Sequence, residues 1–247
     1  MRYFIKLSYH GGNYHGWQVQ PDVVTVQEKL VHSLSVILRE KIEIVGAGRT
    51  DAGVHAEQLF AHFDVEFKFD SFVIQQKINA FLPDDIVVNA IFLVKDDLHS
   101  RFDAISRSYE YRIWLGRNPF LLDSTWQIHQ KILDVTKMNE AAEVLLNYTN
   151  FKCFSKSKTD VRTYNCDITE VKWMLDGNRL TFYITADRFL RNMVRAIVGT
   201  LIEVGLGKKT KNDVIDIIES EDRSKAGVSV PAKGLFLTKV AYKEEFV

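Results

Sequence analysis

Apolar and polar residues alternate over 2–9 (RYFIKLSY), the period of a half-buried strand, and a Gly-rich, His-containing loop follows at 10–17. Thr25 and Glu28 have capping-box spacing. Behind them Val26, Leu30, Leu34 and Leu38 recur every fourth residue, which predicts a helix over 26–39 with one buried stripe. Strand-like runs at 41–46 and 58–67, a shorter helix from Ser71 that stops before Pro83, and a buried strand at 86–94 complete the order βαββαβ, that of a ferredoxin-like unit.

The second half repeats the order. A strand at 107–115 is followed by a helix that Asp134 can cap, with Val135, Met138, Ala142 and Leu145 as its apolar positions. Strands at 166–175 and 179–186 are joined by Asp176-Gly177-Asn178, a hairpin signal. A long helix over 188–204, a shorter one after Thr210 and a closing strand at 235–242 follow. The expectation is an α+β fold of two fused ferredoxin-like (βαββαβ) halves, 1–104 and 105–247, with their sheets joined over a central cleft.

Composition narrows the class. The 247 residues are 46% apolar, enough for a sizeable core, and 32 basic against 32 acidic side chains leave any basic surface to local clustering. Two cysteines, Cys153 and Cys166, are too few for a disulfide scaffold and suit a reducing cytoplasm. The N-terminus soon turns polar and no run of about 18 apolar residues follows, so neither export nor a membrane span is expected.

The loop 46–55, GAGRTDAGVH, sets Arg49 and Asp51 among glycines at 46, 48 and 53, which permit close backbone approaches. Such a loop either binds a ligand or is a tight turn with an exposed ion pair. It lacks the third glycine and the following helix of a dinucleotide fingerprint. On the helix expected over 188–204, at about 100° per residue, Arg188, Arg191 and Arg195 fall within a sector of roughly 60°, opposite Leu190, Val194, Ile197 and Leu201. This stripe is either a solvated face or a seat for an external anion. Two basic segments carry interleaved aromatics: Arg101, Arg107, Tyr109, Tyr111, Arg112, Trp114 and Arg117, then Phe151, Lys152, Phe154, Lys156, Lys158, Arg162 and Tyr164. That composition suits unpaired RNA, although Tyr111 and Trp114 read better as core, and Tyr109 lies on the same strand face as Tyr111 and cannot be separated from it by parity. His10, His15, His55 and His62 lack zinc-site spacing, and His55 and His62 are expected to make structural hydrogen bonds.

Five segments in order, 9–21, TVQ at 25–27, RFDAISRSYEYRI, RFLRNMVRAIVGTLIEVG and PAKGLFL, together with GAGRTDAGVHA, resemble the tRNA pseudouridine synthase A family over almost the whole chain. The resemblance implies a cytoplasmic homodimer, an isomerase that converts uridine to pseudouridine in the anticodon arm of tRNA, positions 38 to 40, without metal or organic cofactor. It implies that Asp51 is the catalytic aspartate, Tyr109 packs on the target base, and Arg195 forms a salt bridge with Asp51. It further implies that Arg49 replaces the flipped base in the stack and that Leu235 walls the pocket. Arg188 and Arg191 are then expected to hold phosphates. Attack at C1′, attack at C6 and a glycal route all call for the same carboxylate. The rival readings are a non-catalytic RNA-binding protein and a metal-dependent hydrolase built on the four histidines.

Overall fold

The computed structural model of the protein describes residues 1–129, 132–157 and 161–243. They form a mixed α+β chain of two compact units, one comprising Met1–Ser106 with the described residues from Leu237 on, the other Arg107–Phe236.

The first unit contains β1 (Arg2–Tyr9), α1 (Val26–Leu38), β2 (Val45–Gly46), β3 (His55–Asp64), α2 (Ser71–Phe81) and β4 (Ile86–Val94). β1 lies between β3 and β4, antiparallel to both, and β2 pairs with β3. Its core joins Phe4, Ile5 and Leu7 of β1 with Leu30 and Leu34 of α1, Leu59 and Phe63 of β3 and Ile78 of α2, all buried. The capping box at Thr25 is present, with Glu28 N–H donating to Thr25 Oγ1 at 3.4 Å and Thr25 N–H to Glu28 Oε2 at 3.3 Å. Asp70 Oδ1 caps α2, accepting from Phe72 and Val73 N–H. The strand expected at 41–46 shrinks to two residues. Its earlier polar groups turn instead to α1: Ile42 N–H donates to Ser35 Oγ and Gln27 Nε2 to the Ile44 carbonyl, at 3.1 and 2.8 Å.

The second unit contains β5 (Ala104–Leu115, from Arg107 on), β6 (Trp126–Ile128), α3 (Val135–Ala142), β7 (Ile168–Asp176), β8 (Arg179–Ala186), α4 (Met193–Gly205) and α5 (Lys211–Glu219). β8 lies between β5 and β7, antiparallel to both, and β6 runs parallel to β5. The hairpin expected at Asp176-Gly177-Asn178 is present, with Gly177 in the left-handed region at φ 55°. Tyr111, Ile113, Phe182 and Ile184 are buried with Met138 of α3 and Ile197 and Leu201 of α4. The last strand, β9 (Leu235–Tyr242), falls where the pattern put it, but from Leu237 on it belongs to the first unit, where it neighbours β3. There Val240 N–H donates to Gln58 Oε1 of β3 at 2.8 Å.

The helix expected over 188–204 begins only at Met193, so Arg188 and Arg191 lie ahead of it and the three arginines share no helical face. Asn192 is the cause, since its φ of 67° is left-handed and breaks the α-helical path. Among the described residues, no helix is long and apolar enough to cross a membrane.

Candidate active site

Loop 47–54 connects β2 to β3 within the first unit, and its backbone is seated on the 10–17 loop that follows β1. The Thr50 hydroxyl lies 2.8 Å from Tyr9 Oη, and its carbonyl accepts from Trp17 N–H at 3.2 Å. Gly53 N–H donates to the Tyr14 carbonyl at 3.2 Å, and Val54 N–H to the Asp51 carbonyl at 3.2 Å, closing a turn in which Gly53 has φ 77°. Below it, Gly11 N–H donates to His55 Nδ1 at 3.0 Å. Thr50 and Val54 are thereby buried, while Asp51 is half-buried and Arg49 exposed. The sequence thus fixes both flanks of a carboxylate that still reaches the surface.

The required glycines are not all in the loop itself. Gly16 has φ 88°, and a Cβ there would lie 2.3 Å from the Thr50 carbonyl oxygen. Nothing lies within 4 Å of a Cβ on Gly48, so no close approach explains that glycine. Gly16→Ala is therefore expected to lower stability by about 1–3 kcal/mol and cut turnover at least about tenfold, with Gly48→Ala within about 0.5 kcal/mol of wild type. Thermal melts and initial rates of the two variants check this, and equal stability losses would contradict it.

His62 of β3 supports the root of the loop. Its Nδ1 lies 2.8 Å from Ser100 Oγ and accepts from Ser100 N–H at 3.2 Å, while Ser100 Oγ also donates to the Val45 carbonyl of β2 at 2.8 Å. Burial, with the Arg2 guanidinium and His99 nearby, lowers its pKa to about 4. A free histidine titrates near about 6.5, so the folded chain favours the neutral ring. That stability is complete above pH 6.5 and is lost as pH falls through 4, roughly 3 kcal/mol in all. His62→Asn should remove this part of the acid sensitivity, as urea midpoints at pH 7 and 4.5 would show, whereas an unchanged difference between the two midpoints would contradict it. His55, buried and bonded to Gly11, is likewise structural. Among the described residues, no group of three or more His, Cys, Asp or Glu side chains is placed to hold a metal ion.

In the second unit Tyr109 and Tyr111 project from one face of β5 with different fates. Tyr111 is fully buried and donates to the Pro231 carbonyl at 2.8 Å, and Gly234 packs against its ring closely enough that a Cβ would lie 2.7 Å away. Burial raises its pKa. Tyr109, nearer the start of the strand, is half-buried and meets Phe189 edge-on, ring centroids 5.1 Å apart. Phe189 was not among the expected site residues, although it stands between Arg188 and Arg191. Arg195, on the first turns of α4, donates through Nε to the Val230 carbonyl at 2.7 Å. Leu235, buried, follows Gly234 directly. Residues 230–235 thus bring Arg195, Tyr111 and Leu235 into one neighbourhood. Ahead of α4, Arg188 donates to the Thr163 carbonyl at 3.4 Å and is half-buried, and Arg191 is exposed.

The basic segments are less uniform than their composition suggests. Phe151 and Phe154 are core residues, and Lys152 pairs with Glu221 at 3.3 Å, so these three offer no open stacking surface. Trp114, expected in the core, is half-buried. Lys158 lies outside the described residues. Cys153 and Cys166 are buried as expected, and burial pushes both thiols up to about 12, far from thiolate reactivity at neutral pH.

Comparison with known proteins gives a consistent result. A tRNA pseudouridine synthase family profile matches residues 141–243. The tRNA pseudouridine synthase A of Bacteroides thetaiotaomicron is 49% identical over 99% of this chain and 91% of its own length. That of Bacteroides fragilis is 50% identical over 99% and 97%, and the tRNA pseudouridine synthase A 2 of Clostridium perfringens 38% over 96% and 98%. With identity this high sustained from end to end, the chain belongs to the tRNA pseudouridine synthase A family.

Proposed function

We propose that this isomerase converts uridine to pseudouridine at positions 38 to 40 of the tRNA anticodon arm, with Asp51 as its catalytic carboxylate. The seated loop, which fixes Thr50 and Val54 and leaves Asp51 at the surface, is the observation that carries this reading. The reaction breaks the C1′–N1 glycosidic bond, turns the detached uracil and joins C1′ to C5; N1 gains a proton and C5 loses one, so nothing is oxidised and no co-reactant is consumed. A carboxylate beside a water-poor pocket suits this chemistry because the base must be retained while it turns.

In this reading Arg195 pairs with Asp51, Tyr109 packs on the target base and Leu235 walls the pocket. A stacked base must first leave the stem at a cost of a few kcal/mol, and Arg49 offsets part of it by filling the vacancy. Arg188 and Arg191 hold phosphates. The fold behind this is two ferredoxin-like halves, 1–104 and 105–247, over a central RNA-binding cleft. The strand order β4-β1-β3, with β2 beside β3, supports it for the first half, and β5-β8-β7 for the second. The protein works as a cytoplasmic homodimer without metal or organic cofactor. Saturating chelator should leave the rate on unmodified tRNA unchanged; inhibition reversed by zinc would contradict this.

A further inference from the structure

Segment 226–231 (AGVSVP), between α5 and β9, is bound to α4 through its backbone. A Cβ on Gly199 of α4 would lie 1.9 Å from the Val228 carbonyl oxygen, and one on Gly227 2.7 Å from Thr200 N. Gly227 N–H donates to Thr200 Oγ1 at 2.8 Å. Val230 and Arg195 exchange two bonds, Val230 N–H to the Arg195 carbonyl at 3.3 Å and Arg195 Nε to the Val230 carbonyl at 2.7 Å. Val228 in the middle is 81% exposed and Val230 is buried, so the stretch is anchored by backbone bonds and at its Val230 end by side-chain burial.

On its other side the segment is spanned by Arg223. Its Nη1 donates to the Ala226 and Gly227 carbonyls at 3.4 and 3.2 Å, and its Nη2 to Ser229 Oγ at 2.9 Å. Ser229 Oγ also accepts from Nδ2 of Asn192, the left-handed residue from which α4 starts, at 2.5 Å. One planar guanidinium thus ties three acceptors within four residues, a geometry that an ammonium cannot reproduce.

We propose that Arg223 is a positioning residue for Arg195. It fixes 226–229, the next carbonyl in line is that of Val230, and Val230 holds Nε of Arg195, so the aim of the Arg195 guanidinium depends on a side chain that need not touch RNA. The proposal rests on the reading of Arg195 as the partner of Asp51.

A double-mutant cycle tests it. Single-turnover rates with enzyme in excess of unmodified tRNA, together with tRNA affinities, are measured for wild type, Arg223→Gln, Arg195→Ala and the double variant. Arg223→Gln should slow the reaction about tenfold and leave affinity within about twofold, and in the Arg195→Ala background it should add less than about twofold. Arg223→Lys, which keeps the charge and loses the fork, should show a similar rate loss and carries the same cycle if the glutamine variant does not fold. Equal losses in both backgrounds, a loss of affinity without a loss of rate, or a wild-type rate for Arg223→Lys overturns the proposal. A wild-type rate for Arg195→Ala instead removes the underlying reading of Arg195, and the proposal with it.

Discussion

Asp51→Asn is expected to lower pseudouridine formation by at least about a thousandfold while tRNA binding persists. The amide keeps the size of the side chain and loses its charge. The turn that presents it should survive, because its bonds are made by backbone: Val54 N–H to the Asp51 carbonyl, Gly53 N–H to Tyr14 and Trp17 N–H to Thr50. A melting temperature close to wild type would show that the loss is chemical. Turnover near wild type would mean that another group performs the reaction.

Arg195→Ala should have the next largest effect and should fall mainly on the chemical step. In the proposed pairing, the loss of this guanidinium leaves the Asp51 carboxylate without the cation that orients it and balances its charge. Arg188→Ala and Arg191→Ala are expected to behave differently. Both residues precede α4, so neither shares the Val230 contact that places Arg195. Each should raise the Michaelis constant more than it lowers turnover, and flatten the log–log dependence of binding on salt by roughly 0.7 to 0.9, one phosphate contact. Salt titrations and pre-steady-state rates measured side by side separate the classes. Three variants that behave alike would make the arginines one undifferentiated phosphate-binding group and end the pairing of Arg195 with Asp51.

Local signals in the sequence carry far where they are self-contained. The Thr25 cap, the start of a helix after Thr210 and the hairpin at Gly177 depend on neighbours within a few residues, and all lie where the pattern puts them. Non-local competition sets the departures. Periodicity through 188–204 is genuine for the apolar positions, yet one left-handed residue, Asn192, removes Arg188 and Arg191 from the helix. The alternation at 41–45 persists as buried Ile42 and Ile44, but α1 side chains take the backbone groups that a longer strand would have used. β6 has three residues, too few for a periodic signal.

The same division holds at the site. Glycine density marked the Arg49–Asp51 loop, whereas its support comes from Tyr9, Gly16 and Trp17, which no spacing within the loop could reveal. Parity grouped Tyr109 with Tyr111, and only the approach of Gly234 and Pro231 to the latter distinguishes a buried ring from a half-buried one. The Val230 carbonyl under Arg195 is a backbone group, and residue identity carries no signal for it.

The most direct measurement is a single turnover: purified chain in excess over an unmodified tRNA transcript, with chelator present, followed by mapping of pseudouridine along the whole transcript. Pseudouridine is expected in the anticodon arm at positions 38 to 40 with wild-type protein and none with Asp51→Asn. A transcript that is bound but left unmodified by the wild-type chain, or modified equally by both proteins, would contradict it.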